Sequence, residues 1–512
     1  MLYVVCLNFR KRKLFQFINE ELQFLTKNYC LRFLKWDDEL IMLFRFIANK
    51  ISEYCSFVPT NEQCELIELL AKFVHSRTNN EAFLLKGYAG TGKTSIVSAL
   101  VKTLCFFEQK VVLLAPTGRA AKVFSAYSNL PAYSIHKKIY RQKSSTDAVF
   151  QLDRNMHHNT LFIVDEASMI STSIGEGQLF GSGNLLDDLV QYVYSNQSNN
   201  LILLGDTAQL QPFVQTDCPA MDVSRLESYG LDILEYELKQ VVRQSVESGI
   251  LYNATSLRQR IGEEETFLFP KLKVDFPDVK RISGADLIES LSTSYDKVGV
   301  ENTLVVTRSN KRANQYNMGI RSQVLQREEE LNCGDWLMVT KNNYFWNKTY
   351  KNLPFIANGD VFRIVRIGRY QDLYGFRFVN VTAEFDEGVE IDVKILIDSF
   401  YTETSKDVEE LNKKLRDSVL EDYAELNNIK ERYKKLLENE YFNALQVKFA
   451  YAVTCHKAQG GQWDNVFVDQ GFVNEQMINT DYYRWLYTAI TRAKQKLFLV
   501  NFSEKYFEEK MA

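Results

Sequence analysis

The stretch "FLLKGYAGTGKTSIV", residues 83–97, constrains this chain more than any other. An apolar run leads into G-x-x-x-x-G-K-T, Gly87 through Thr94, and the apolar spacing of a helix follows. The glycines Gly87, Gly90 and Gly92 let backbone N–H groups of the loop turn toward phosphates at a helix N-terminus, where the helix dipole also favours anions. In this pattern Lys93 reaches the β/γ-phosphates, the Thr94 hydroxyl holds Mg²⁺, and Thr91 and Ser95 belong to the same cradle. A chain that builds such a loop must build strand, loop and helix in succession. The expected class is therefore α/β, with ATP and Mg²⁺ as ligands.

A phosphate-bridging metal calls for a carboxylate, and hydrolysis calls for a group that orients water. "TLFIVDEASMI" offers both at the end of a second apolar run: Asp165 for the metal and Glu166 as base. Two further runs, "KVVLLAPTGRAAK" (110–122) and "NLILLGDTAQLQPF" (200–213), end in polar turns. Such runs of Val, Leu and Ile without polar alternation indicate strands buried on both faces, hence a parallel sheet flanked by helices. Upstream, Thr60 and Gln63 have capping-box spacing at the start of "NEQCELIELLAKFV". That structural role is sufficient for Gln63; its amide also suits the adenine edge, since it both donates and accepts.

The charge distribution says more than the total of −4. From Gln109 to Thr146 there is no acidic residue, while Arg119, Lys122, Lys137, Lys138 and Arg141 alternate with Tyr127, Tyr133 and Tyr140. Cations that track phosphates, interleaved with rings that stack bases, suit a single strand of nucleic acid. The eight cysteines show no C-x-x-C spacing and the five histidines no metal cluster, which excludes a zinc, iron–sulfur or disulfide framework. The N-terminus runs apolar before basic, the reverse of a secretory signal. No apolar run approaches the roughly 18 residues of a membrane span. A cytoplasmic protein with no membrane partner is expected.

After Ser245 a second series of unalternating strands begins: "TLVVTRSN" (303–310), "LQVKFAYAVTCHKAQG" (445–460), "NVFVD" (465–469) and "KLFLV" (496–500). They predict a second parallel sheet without a phosphate loop, closing over the first one's site. Arg492 in "YTAITRAKQ" then gains a task, because a guanidinium delivered across a domain interface stabilises the charge of a transferring γ-phosphoryl.

Seven segments in order, "GYAGTGKT", "APTGRAAK", "VDEAS", "GDTAQLQPF", "VVRQ", "VTCHKAQG" and "YTAITRA", resemble the motif set of superfamily 1 helicases over roughly residues 58 to 505. "APTGRAAK" followed by "YSIHKK" is most similar to the RecD and Dda branch. The resemblance implies that Gln209 senses the γ-phosphate and that Arg243 and Arg492 are paired arginine fingers. It also implies that Pro116, Thr117, His136, Lys137, Thr454, His456 and Lys457 lie along a DNA strand. A short hydroxyl or a cation at a strand end makes a good phosphate contact, so the residue types agree.

The expected architecture is two RecA-like parallel-sheet domains, 58–245 and 246–330 with 441–512, carrying two insertions. One is a hairpin near 139–155, where "IYRQ" and "VFQL" flank a polar tip; RecD-like relatives carry a duplex-splitting pin there, and a plain connection fits equally. The other, 331–402, has short alternating strands between Gly-Asp turns and matches the place of an SH3-like barrel in the family. Its loop "TKNNYFWNKTYK" either grips a strand or packs a small core through Tyr344, Phe345 and Trp346. Residues 403–440 read as a charged helical arm turning at Asn427–Asn428, and 1–57 as a helical extension of no assigned role. The likeness implies an ATP-driven monomeric motor moving 5′→3′ on single-stranded DNA and opening a fork duplex. A DNA-dependent ATPase that remodels protein–DNA complexes, or an RNA helicase, uses the same motifs.

Overall fold

The computed structural model describes residues 36–76, 79–141, 150–172, 181–196, 198–212, 218–241, 248–261, 268–346, 356–385 and 388–507. Its first half is a six-stranded parallel sheet in the order Ala132–Ser134, Lys110–Ala115, Thr160–Val164, Asn200–Gly205, Glu81–Gly87, Asp232–Leu238. The central strands show why their sequences lack alternation. Phe83 and Leu85 face one apolar core with the helices Asn61–Ser76 and Lys93–Phe106, while Ala82 and Leu84 face another with Leu185–Tyr194. Each fully buried Leu or Phe of this kind contributes about 1.5–3 kcal/mol by leaving water. The edge strand Asp232–Leu238, "DILEYEL", is exposed or half-buried up to Leu238 and carries Asp and Glu between its apolar residues, which is why no apolar run announces it.

The second half is a five-stranded parallel sheet in the order Ala452–Thr454, Thr303–Thr307, Trp463–Asp469, Ala493–Val500, Val279–Ile282. Here the sequence expectation needs a correction. The run 445–460 is not one strand: Leu445–Phe449 closes a barrel, and only Ala452–Thr454 enters the sheet. The break falls at Tyr451, whose buried hydroxyl donates to Asp335 at 2.8 Å and accepts from Arg327 at 2.7 Å.

The closed barrel comprises Trp336–Val339, Val361–Leu373, Phe376–Glu384, Glu390–Leu396 and Leu445–Phe449. Two register shifts in the long strand Val361–Leu373 bend it around the barrel. The two-residue turn Tyr374–Gly375, both at positive φ, has the twist a tight hairpin requires. The barrel is continuous with the sheet it interrupts. Val305, Phe467 and Phe498 of the sheet share one core with Leu337, Phe362 and Val381 of the barrel. The helices Ser405–Glu421 and Ile429–Glu438 pack Leu411, Leu415 and Leu436 on barrel residues Phe378 and Leu396, so this arm is anchored along its inner side.

Among the described residues, no helix is long and apolar enough to cross a membrane. Residues 1–35 of the N-terminal extension, the hairpin tip 142–149 and Arg243 lie outside the described residues. The hairpin's base is described: Tyr140 and Arg141 pair antiparallel with Leu152 and Gln151.

Candidate functional site: a nucleotide cavity beneath a strand-facing seam

The carboxyl ends of the first sheet's strands open into a cavity of about 640 Å³ roofed by the second sheet's loops. Gly90 and Gly92 hold φ of 81° and 87°, a left-handed backbone that costs L-residues energy. A Cβ on Gly92 would stand 2.6 Å from Gln63 Nε2, so this position also requires the missing side chain. Gln63 is fully buried and ties the loop to the preceding helix. Its Oε1 accepts from Thr60 N–H at 3.0 Å, and its Nε2 donates to the Thr91 carbonyl at 2.9 Å. Both ends of that amide thus bond to backbone. Lys93 Nζ donates to the Gly87 and Tyr88 carbonyls at 2.5 and 3.0 Å, inside the loop it belongs to.

The Thr94 hydroxyl donates to Asp165 Oδ2 at 3.2 Å, pairing the two groups expected at the metal. Their side chains and Ser95 line the cavity. One hydroxyl and one carboxylate, with phosphate oxygens to complete the shell, is a donor set that fits Mg²⁺. Burial pushes the Asp165 carboxyl up, opposed by the Glu166 N–H, Lys93 and the Thr94 hydroxyl. Glu166 has φ of 54°, a strained left-handed conformation for a residue with a side chain. Burial pushes its carboxyl up too, and the Arg492 guanidinium is the strongest opposing influence. Gln209 Nε2 donates to Glu166 Oε2 at 3.4 Å, while its Oε1 is buried without a partner among the described residues.

Arg492 reaches this cavity from the second half. It is 3% exposed, held by the Thr488 carbonyl at 3.0 Å, the Gly461 carbonyl at 3.2 Å and the Thr491 hydroxyl at 3.1 Å. The helix just before it, Thr480–Ile490, rests on the first half's loop after Gly205. Leu210 N–H donates to Thr488 Oγ1 at 2.8 Å, and Arg484 donates to the Thr207 carbonyl. Sequence reasoning missed Tyr487, Thr488 and Arg484. They stand on the helix Thr480–Ile490, just before Arg492, but a tyrosine at helical spacing reads as core.

The residues expected on a DNA strand gather along the seam between the halves. The Thr117 hydroxyl caps Gly118–Ser128, accepting from Ala120 N–H at 3.1 Å, next to Pro116. Gly460, two residues after the helix Cys455–Ala458, comes so close that a Cβ would sit 2.7 Å from Ala120 Cβ and 3.3 Å from Thr117 Oγ1. Thr454 precedes that helix, which holds His456 and Lys457; burial lowers the pKa of both. The Arg119 guanidinium lies 4.7 Å over the Trp463 ring across the same seam. Burial pulls the His136 imidazole down to about 4, and its ring lies 5.7 Å from that of Tyr140. Lys137 Nζ is 3.7 Å from Asp360 Oδ2 on a barrel loop. In the loop "TKNNYFW", Tyr344 packs 4.4 Å from Phe150 at the hairpin base and Trp346 Nε1 donates to the Asn443 carbonyl at 2.8 Å. Those two rings serve packing.

A phosphate loop and a strand-end acid pair on one parallel sheet, with an arginine supplied by a second, define a tandem RecA-like P-loop protein with an SH3-like barrel insertion. Residues 61–267 match the family model described as an AAA domain, and residues 449–500 match the UvrD-like helicase C-terminal domain. An uncharacterized protein of Methanocaldococcus jannaschii is 24% identical over 86% of this chain and 38% of its own length. The ATP-dependent RecD2 DNA helicase of Deinococcus radiodurans is 22% identical over 86% of this chain and 50% of its own. This chain therefore spans half or less of the length of both relatives. A solved structure of Pif1 helicase from Bacteroides in complex with ADP-AlF3 and ssDNA aligns over 88% of this chain and 95% of its own, at 13% identity and a TM-score of 0.45. With its motifs in order and both family models matched, the chain is similar to the superfamily 1 helicases, and its RecD2 relative places that similarity in the RecD-like branch.

Proposed function

We propose that this protein is an ATP-dependent DNA helicase that travels 5′→3′ along single-stranded DNA and separates the duplex ahead of it. The carrying observation is the single cavity in which Lys93, Thr94, Asp165 and Glu166 of one sheet meet Arg492 of the other. Lys93 binds the β/γ-phosphates. Thr94 and Asp165 hold Mg²⁺, which neutralises phosphate charge when bound. Glu166 orients the attacking water and takes its proton, Gln209 reads the γ-phosphate beside it, and Arg492 stabilises the charge that develops as the phosphoryl leaves. Arg243 is its proposed partner finger.

Coupling follows from the seam. Pro116, Thr117, His136 and Lys137 belong to one half, and Thr454, His456 and Lys457 to the other. Opening and closing the cleft therefore alternates the hold on a strand that touches both sides. The likeness supports the direction, and the phosphate-loop geometry supports the chemistry.

The test is strand separation on matched duplexes carrying either a 5′ or a 3′ tail, with Lys93→Ala as the blank. Opening of the 5′-tailed duplex alone is expected. Opening of the 3′-tailed duplex alone rejects the direction and keeps the motor. ATPase stimulated by single strands without opening replaces strand separation by remodelling of protein–DNA complexes.

A further inference from the structure

One buried phenol joins three parts of the cavity that the motifs treat as separate. Tyr487, 1% exposed, stands on the helix Thr480–Ile490 of the second half, five residues before Arg492. Its oxygen accepts the N–H of Ala89, inside the phosphate loop of the first half, at 2.8 Å. Its O–H donates to Asp206 Oδ2 at 2.7 Å. The other oxygen of Asp206 accepts Ala208 N–H at 2.9 Å, one residue before Gln209. A continuous chain of hydrogen bonds thus runs from the phosphate loop through Tyr487 to the loop that carries Gln209, and the middle member belongs to the domain that carries Arg492.

We infer that Tyr487 is a positioning residue: its hydroxyl registers the phosphate loop against the helix that leads into Arg492, so that Arg492 and Gln209 reach the γ-phosphate together. This rests on the ATPase reading above. The phenol is suited to the role because burial pushes its pKa well above the ordinary tyrosine value, which keeps it a donor to Asp206 at any working pH. The geometry also makes the link conditional. Ala89 lies between Gly87 and Gly90 in the loop that must fit around phosphates, so any shift of that loop is passed to the helix through one oxygen. Displacing a reacting group by about 1 Å costs on the order of 10²-fold in rate.

The test is Tyr487→Phe, which keeps the ring and removes only the oxygen. Affinity for a fluorescent ATP analogue and KM are expected to stay within about twofold of wild type, while kcat with oligo-dT falls by about tenfold or more. In wild type the oligo-dT affinity is expected to differ between ADP and a non-hydrolysable ATP analogue, and in the variant that difference is expected to collapse. A purely structural role would lower the melting temperature and move neither the KM-against-kcat split nor the nucleotide dependence. Asp206→Asn breaks the same chain from its other end. The double variant is expected to be no worse than the poorer single one, and this keeps the inference testable if one variant folds badly. Normal kcat and normal nucleotide dependence in folded Tyr487→Phe overturn the inference and leave the ATPase reading intact. Absence of oligo-dT-stimulated ATPase in the wild type, level with Lys93→Ala, overturns both.

Discussion

In the first sheet, the strand Glu81–Gly87 and the helix Lys93–Phe106 are separated by residues 88–92; in the second, Thr303–Thr307 and Asn310–Gly319 are separated only by Arg308 and Ser309. The longer connection has two left-handed glycines and no side-chain cap at the helix start, and it lines the cavity. In the shorter one the Ser309 hydroxyl accepts Arg312 N–H at 3.2 Å, which satisfies the helix start from within. Arg312 then forks onto Asp469 at 2.9 and 3.0 Å, and Tyr316 donates to the same carboxylate at 2.8 Å. One strand–helix junction is open to an anion and the other is closed on itself. Two copies of one architecture thus differ, through a few connecting residues, in the way the proposed division between a half that holds nucleotide and a half that acts on it requires.

The largest effects should separate those roles. Lys93→Ala is expected to abolish ATP hydrolysis by removing the phosphate-binding cation. Arg492→Ala should leave ATP binding close to wild type and cut kcat by about 10³-fold, the usual scale for an arginine finger. Equilibrium binding of a fluorescent ATP analogue beside steady-state turnover reads both. If Arg492→Ala weakens nucleotide binding as much as Lys93→Ala does, the division between holding and acting is broken.

A smaller effect sharpens the same contrast. Ser309→Ala removes a helix cap and should cost about 1 kcal/mol of stability in the second half, with turnover per folded molecule unchanged. Gly92→Ala adds a Cβ at positive φ and 2.6 Å from Gln63 Nε2, so nucleotide affinity should fall more than stability does. Chemical denaturation and ATP-analogue binding on the two variants decide it. Loss of ATP affinity in Ser309→Ala would show that the closed junction also serves the nucleotide.

How much of this was legible beforehand depended on burial. The strands Thr160–Val164 and Asn200–Gly205 are wholly buried, and their unbroken apolar runs mark them in the sequence. The edge strands Asp232–Leu238 and Val279–Ile282 carry exposed Asp, Glu, Lys and Arg and left no such mark. The run 445–460 misled because one apolar stretch serves two sheets, and the turn between them is set by a long-range bond from Tyr451 to Asp335. In the site, residues with distinctive local spacing could be placed by pattern, from Gly87 to Thr94 and at Asp165 and Glu166. Tyr487 could not, because its partners Ala89 and Asp206 lie hundreds of residues away and its own helix spacing says only that it is buried. Gln63 was legible as a cap, while its bond to the Thr91 carbonyl was not.

The smallest expected effect concerns the seam rather than the cavity. Asp360, on a barrel loop inserted in the second half, sets its carboxylate 3.7 Å from Lys137 of the first half, and both side chains are mostly buried. Its Oδ1 lies 2.9 Å from where a Cβ on Gly118 would stand, at the start of the helix that Thr117 caps. A negative group therefore sits beside the cation and helix terminus that the proposed strand would use for a phosphate. In Asp360→Asn the amide oxygen can still accept Ala357 N–H, a bond of 2.7 Å that shapes the turn, while the charge is gone. Affinity for oligo-dT should rise a few-fold, and the plot of log affinity against log salt should steepen by about one unit, because the Lys137 charge is no longer offset by Asp360 and neutralises one more phosphate. Fluorescence anisotropy at several salt concentrations reads both numbers. An unchanged slope with unchanged affinity would place Lys137 off the strand's path and leave it as a clamp between the barrel and the first half.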